Sequence, residues 1–139
     1  MQTASALTSF FERYAQISSG SRPEDLAALY APTFIVGGPK GSQAFANDAS
    51  FLVWLRQVGD GNRASGLRAM RPLEVCDQTL SAIHTLATVR WGAQFDKTGD
   101  RVIAFTIAYL LERKDGAWLI LAYVSEEDQE DAMKREGLM

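Results

Sequence analysis

Few side chains in this sequence can carry chemistry, and they lie far apart. His84 is the single histidine and Cys76 the single cysteine. Histidine is the residue whose ordinary pKa lies near neutrality, which makes His84 a candidate for proton transfer. By strand alternation it lies on the face opposite Ile83, Val89 and Trp91, with no acidic partner evident nearby. Tyr14 is the other catalytic candidate. Its hydroxyl can be donated to a bound carbonyl, or it can be a core aromatic whose hydroxyl finds a local partner. Cys76, inside an apolar strand, reads as a packed thiol. One cysteine excludes an intrachain disulfide, and one cysteine with one histidine excludes a four-ligand Cys/His zinc centre. No metal and no cofactor are expected. Most carboxylates have positional explanations: Asp25 and Asp48 start helices, Asp96, Asp100 and Asp115 sit in turns, and Glu126, Glu127 and Asp128 open a last helix. Glu74 and Asp77 fall on opposite strand faces and cannot share a site. Gly37, Gly38 and Gly41 do not form a phosphate loop, because Lys40-Gly41-Ser42 is in the wrong order. The indoles of Trp54 and Trp91 can line a cavity or fill a core. Ala104, Thr106 and Ala108 are small enough to leave space beside them. The expected ligand pocket is therefore Tyr14, Trp54, Trp91, Thr106 and Ala108.

The elements that must position these residues follow from periodicity. Leu7, Phe10, Phe11, Tyr14 and Ile17 make one stripe of a helix over residues 3–18. Ser21 caps a short second helix with Pro23 in its first turn and Leu26, Leu29 and Tyr30 on its apolar side. A short strand over 33–37, a turn at Gly38-Pro39-Lys40-Gly41 and a return strand over 43–46 make a hairpin. Asn47 caps a third helix with Phe51, Leu52, Trp54, Leu55 and Val58 on one side, ended or loosened by Gly59, Gly61 and Asn62. Strands follow over 67–79, 82–95, 101–113 and 117–124, joined by tight connections at 96–100 and 114–116, and are therefore antiparallel. Ser125 and Asp128 have capping-box spacing for a terminal helix ending in Lys134 and Arg135. Helices first and long strands last imply a single α+β domain over residues 1–139.

The bulk properties narrow the class. The chain has 139 residues, 47% hydrophobic and 22% charged, with formal net charge −3. It is long enough for one domain with a real core. A phosphate-backbone binder needs a concentrated positive field, so nucleic acid is not an expected partner. No stretch is apolar for the eighteen or so residues of a membrane span. Residues 1–20 lack a basic leader, and Glu12 and Arg13 interrupt their apolar run, so they do not read as a signal peptide; a reducing cytoplasm is the expected location. Both faces of the long strands are apolar. Phe105, Ile107, Tyr109, Leu119, Leu121 and Tyr123 are taken as the face that a second copy covers in a homodimer.

Four features carry a resemblance: Arg13-Tyr14 on the first helix, the run Leu26-Ala27-Ala28-Leu29-Tyr30-Ala31-Pro32, the turn over 38–42, and the terminal hairpin at Asp115-Gly116-Ala117-Trp118. Over nearly its whole length the chain resembles the nuclear-transport-factor-2-like superfamily, which includes SnoaL-like polyketide cyclases, scytalone dehydratase and ketosteroid isomerases. The resemblance implies helices closing one side of a curved sheet as a cone, a cystatin-like roll with an apolar pocket, and dimerisation through the other sheet face. Ketosteroid isomerases use a carboxylate base, a tyrosine and a protonated aspartate. Tyr14 matches the tyrosine, whereas Gly38 and Ala108 align with the base and the aspartate, and neither can hold a proton. Dehydratases and cyclases of this fold call for a His–Asp arrangement, for which only His84 is present. The expected function is binding of an apolar small molecule, with metal-independent isomerase, cyclase or dehydratase chemistry as its catalytic form. The competing expectation is a non-catalytic dimerisation or protein-interaction module.

Overall fold

The computed structural model describes residues 7–18 and 22–137. Its elements are α1 (Thr8–Ser18), α2 (Pro23–Ala27), β1 (Tyr30–Gly38), β2 (Gly41–Ala46), α3 (Ala49–Ala64), β3 (Leu67–Thr79), β4 (His84–Phe95), β5 (Ile103–Lys114), β6 (Ala117–Ser125) and α4 (Gln129–Arg135). The six strands form one sheet in the order β2-β1-β6-β5-β4-β3. All neighbours are antiparallel except β1 and β6, which run parallel. The N-terminal helices pack on one side of this curved sheet. Among the described residues no helix is long and apolar enough to cross a membrane.

Local chemistry explains most boundaries. Asp115 and Gly116 have φ of 51° and 80°. That double positive φ belongs to a two-residue hairpin turn, and it lets Lys114 pair directly with Ala117. Tyr30, expected on the second helix, instead begins β1, because Pro23–Ala27 is only about one and a half turns long. The Ser21 cap lies outside the described residues, as do residues 3–6 of the expected first helix. Asn47 does not cap α3. Asp48 does, its Oδ1 accepting from the backbone of Ser50 and Phe51 at 3.0 and 3.3 Å. Asn47 instead donates to the carbonyls of Ala27 and Tyr30, tying α2 to the start of α3. Gly59, Gly61 and Asn62 do not end that helix, which continues to Ala64. Gly66 closes the segment with φ 78°, a conformation favouring glycine. Asp128, rather than Ser125, caps α4 by accepting from the amide of Asp131.

The register of the sheet corrects one expectation that matters for function. Directly paired residues in neighbouring strands share a face. Trp91 pairs with Phe105, Val89 with Ile107 and Ala87 with Tyr109. All are on the helix side, where Phe11 of α1 packs against both Trp91 and Tyr109. Ala104, Thr106 and Ala108 are therefore on the far face, not beside Trp91. A bulge between Leu110 and Leu111 adds a further complication in β6. Tyr123 pairs with Tyr109, but Ile120 pairs with Leu111, so both face the helices although their numbers differ in parity. Of the face assigned to a second copy, Phe105, Ile107, Tyr109 and Tyr123 instead point inward, whereas Leu119, paired with Glu112, does face outward. The outward set includes Ile35, Ala108, Leu110, Leu119, Ala122 and Val124.

The core lies between α1, α3 and the inner face. Phe11, Phe34, Trp91, Leu111 and Ile120 are inaccessible to solvent or nearly so. Burying side chains of this size contributes about 1.5–3 kcal/mol each. The same burial fixes the phase of α1 and so aims Tyr14 at the sheet.

Candidate functional site

Beneath α1 and beside α3 the sheet does not close on the helices. A cavity of about 800 Å³ remains, reached from the side of the β1–β2 turn and the C-terminal half of α3. Its floor is aromatic: Trp91 from β4, Phe105 and Tyr109 from β5, and Tyr123 from β6. Tyr14 of α1 and Tyr30 of β1 complete that end. All four tyrosines of the chain are therefore gathered at one site.

Two hydrogen bonds organise them. The hydroxyls of Tyr14 and Tyr30 are 2.7 Å apart, and Trp91 Nε1 donates to the Tyr109 hydroxyl at 3.0 Å. An indole N–H can only donate. The Tyr109 oxygen therefore accepts from it, and the phenolic proton of Tyr109 is left for another acceptor. In the Tyr14–Tyr30 pair one hydroxyl must donate to the other, and the acceptor's proton is left in the same way. The rings brace one another, with Tyr109 and Tyr123 at 5.9 Å between centroids and Tyr14 and Trp91 at 5.7 Å.

Burial raises the pKa of all four phenols, most strongly for Tyr30 and Tyr109, because a phenolate there would lose its hydration. The hydroxyl bond to Tyr30 partly offsets this for Tyr14. At neutral pH these groups are donors and not bases. The arrangement can hold and polarise an acceptor oxygen such as a carbonyl.

Of the residues expected at a pocket, the structure brings Tyr14, Trp54 and Trp91 to this cavity. Trp54 is at its rim, stacked on Phe45 and Phe51 and partly exposed. Thr106 and Ala108 are on the other side of the sheet, since alternation along β5 turns Phe105, Ile107 and Tyr109 inward. Thr106 instead borders a small crevice of about 100 Å³ near α4. Gly38 lines the cavity, whereas Ala108 does not. The inward neighbours of Ala108 are Ile107 and Tyr109, so no acid takes the place of the oxyanion aspartate. His84 is remote from the cavity, hydrogen-bonded to Ser81 and paired with Glu112. Cys76 Sγ lies 3.2 Å from Glu74 Oε1. The two carboxylates that line the cavity are already engaged: Glu127 by Arg135, and Asp128 by Lys40 at 3.5 Å. Among the described residues no group of three or more His, Cys, Asp or Glu side chains could hold a metal ion.

Sequence reasoning missed Tyr30, Tyr109 and Tyr123. The missing signal was cross-strand register: pairing Trp91 with Phe105 would have turned Tyr109 inward, and the bulge in β6 would have delivered Tyr123.

A helical layer over a six-stranded, mostly antiparallel curved sheet, with a cavity between the layers, defines an NTF2-like, cystatin-like fold. The chain belongs to the family described as NTF2-like protein (DUF6841), which it matches over residues 2–128. No curated protein matches the sequence. Among solved structures it is similar to an NTF2-like protein with a cystatin-like fold from Novosphingobium aromaticivorans, at 12% identity and TM-score 0.68 over 96% of this chain and 86% of that one. A proposed calcium/calmodulin-dependent protein kinase II association domain from Xanthomonas campestris superposes at TM-score 0.64 with 13% identity, covering 89% and 86%. A proposed scytalone dehydratase from Novosphingobium aromaticivorans does so at 0.57 with 18% identity, covering 81% and 75%. At these identities the likeness is one of fold.

Proposed function

We propose that this protein binds a small, largely apolar molecule whose acceptor oxygen is held by the tyrosine cluster. The observation that carries the reading is the cavity of about 800 Å³ with its aromatic floor and two hydrogen-bonded hydroxyl arrangements. Ligand sites are mostly apolar clefts of ~300–1,000 Å³ with a few placed polar groups, and this cavity has that character. Isomerase, cyclase or dehydratase chemistry, the last suggested by the name of one structural neighbour, needs a proton acceptor as well as an oxygen-binding donor. Tyr109 and the accepting member of the Tyr14–Tyr30 pair supply the donor. The lining carboxylates are held in ion pairs at the rim, and neutral phenols do not accept protons readily. Binding is thus better supported than catalysis. The test is uptake of the neutral fluorophore N-phenyl-1-naphthylamine, together with native mass spectrometry for molecules retained on purification. Val36 pairs with Tyr123 and lines the cavity. Val36→Trp should fill the space and abolish uptake. Absence of both retained ligand and fluorophore binding in the natural protein would defeat the reading.

A second reading, self-association through the outer face, is favoured by a specific observation. Ile35 and Val124 are 48% and 52% exposed and sit on neighbouring strands beside Leu110 and Ala122. An apolar sheet face of this kind is ordinarily covered. The protein should be a dimer in light scattering at micromolar concentration and a monomer after Val124→Lys. A monomeric natural protein would remove this reading without touching the cavity.

A further inference from the structure

The rim of the cavity differs in character from its floor. Four cationic side chains line it, Arg22, Lys40, Arg56 and Arg63, against the two carboxylates Glu127 and Asp128. This cationic excess occurs in a chain whose formal net charge is −3. Lys40 is occupied by Asp128 and Asp131, each 3.5 Å away. Each arginine has a single carboxylate partner. Arg22 meets Asp25 at 3.5 Å, Arg56 meets Glu24 only at 4.0 Å, and Arg63 pairs with Asp60 in the preceding turn. None of those three acids lines the cavity. All three arginine side chains are more than half exposed. A guanidinium has five N–H donors and one carboxylate uses at most two, so each retains donors for another anion.

The ordinary explanation for exposed arginines is a solvated surface with weak local ion pairs. It does not account for their convergence. Arg22 precedes α2, while Arg56 and Arg63 are seven residues apart, two turns along one side of α3. These separate segments bring them to the lining of a cavity whose floor is aromatic and uncharged. A cationic rim on a low-dielectric cleft concentrates anions at its mouth.

We infer that the ligand is an acidic amphiphile, with an apolar or aromatic body in the cavity and a carboxylate, sulfonate or phosphate group at the arginine rim. This rests on the reading of the cavity as a binding site and narrows the class of molecule it takes. The two are separated by a matched pair of probes. N-phenyl-1-naphthylamine is neutral, and 1-anilinonaphthalene-8-sulfonate is the same body with an anionic group. The natural protein should bind the sulfonate more tightly than the neutral probe, and added salt should weaken the sulfonate alone, as screening requires. Arg56→Gln with Arg63→Gln should weaken the sulfonate by about tenfold, and Arg56→Glu with Arg63→Glu by more, consistent with the loss of two partly screened charge contacts. In both variants the neutral probe should bind within about twofold of the natural protein, since the aromatic floor that holds it is unchanged. Equal affinity for the two probes, or a sulfonate affinity unmoved by the substitutions, would overturn the inference while leaving the binding site intact. Parallel loss of both probes would also overturn it, because the arginines would then be holding the mouth rather than selecting charge. If neither probe binds the natural protein, the cavity reading and this inference fall together.

Discussion

Along β5 the residues facing the helices are Phe105, Ile107, Tyr109 and Leu111, while Ala104, Thr106, Ala108 and Leu110 face away. The open space is on the side of the larger set. Small side chains therefore do not mark the cavity here. Its volume comes from the separation between the sheet and the helical layer, and large aromatic residues are what reach far enough to wall it. The small residues are half-buried on the opposite face, Ala108 beside Val124 and Ala104 and Thr106 at the small crevice near α4. The two faces also differ in polar chemistry. The inner face gathers four phenols and an indole N–H into a donor cluster. The outer face, near the end of the β3–β4 hairpin, carries His84 and Glu112.

The largest expected difference between the faces is in stability. Trp91 is fully buried, packs on Phe11 and Tyr14, and donates to Tyr109. Trp91→Ala should destabilise by about 3–5 kcal/mol, the usual range for removing a buried large aromatic. Ala108→Trp, on the other face, should cost less than about 1 kcal/mol in the isolated chain. It should leave fluorophore uptake unchanged and alter only self-association. Urea unfolding of the two variants checks the comparison. An Ala108→Trp protein that loses uptake while remaining folded would return Ala108 to the cavity and invert the faces.

The next effect is one of pH. Every tyrosine of the chain belongs to the inner cluster, and burial raises each pKa in the folded state. The unfolded chain ionises near the ordinary phenol value of about 10. Above that pH the folded state retains more protons than the unfolded one, so stability falls as pH rises. The contribution is fully present below about pH 10 and is lost as pH climbs toward the raised folded values. Phenolate absorbance at 295 nm should therefore appear together with loss of the folded circular dichroism signal. A phenolate rise centred near pH 10 in a protein that is still folded would mean that the cluster is wet.

How much of this was legible in sequence depended on the distance over which the signal acts. The stripe through Phe11 and Tyr14 and the hairpin turn at Asp115-Gly116 are set by residues close together, and they read correctly. The span of β3 follows from its neighbours in the same way, because Gly66 ends the preceding helix and the turn held by Ser81 follows Thr79. What failed was non-local. Whether Ala108 or Tyr109 shares a face with Trp91 depends on how two strands slide against each other. The side on which Tyr123 emerges depends on a single bulged residue near Leu121. Alternation within one strand cannot decide either point. The three rim arginines were illegible for the same reason, since they are separated in sequence and only the packing of α2 beside α3 brings them to one cavity.

The smallest expected effect concerns His84, the residue that looked most reactive in sequence. Its Nδ1 is 2.8 Å from Ser81 Oγ, and its Nε2 is 3.3 Å from Glu112 Oε1. That order of Ser, His and carboxylate resembles a nucleophilic array, but the serine is already committed. Ser81 Oγ accepts from the amides of Ile83 and His84 at 3.1 and 3.0 Å, which fixes the turn leading into β4. With its oxygen filled by two donors, the hydroxyl gives its proton to Nδ1. Nε2 then carries the ring hydrogen and donates it to Glu112. The chain of bonds closes a hairpin tip, and none of the three residues lines the cavity. The His84 and Glu112 side chains are each about one-third exposed, so solvent screens their pairing. His84→Ala should therefore cost only about 0.2–1 kcal/mol. Uptake of N-phenyl-1-naphthylamine should stay within about twofold of the natural protein, since no lining contact changes. A larger loss of uptake in a variant that keeps its stability would mean that the hairpin tip is coupled to the floor of the cavity through β4. His84 would then belong to the functional site despite its position.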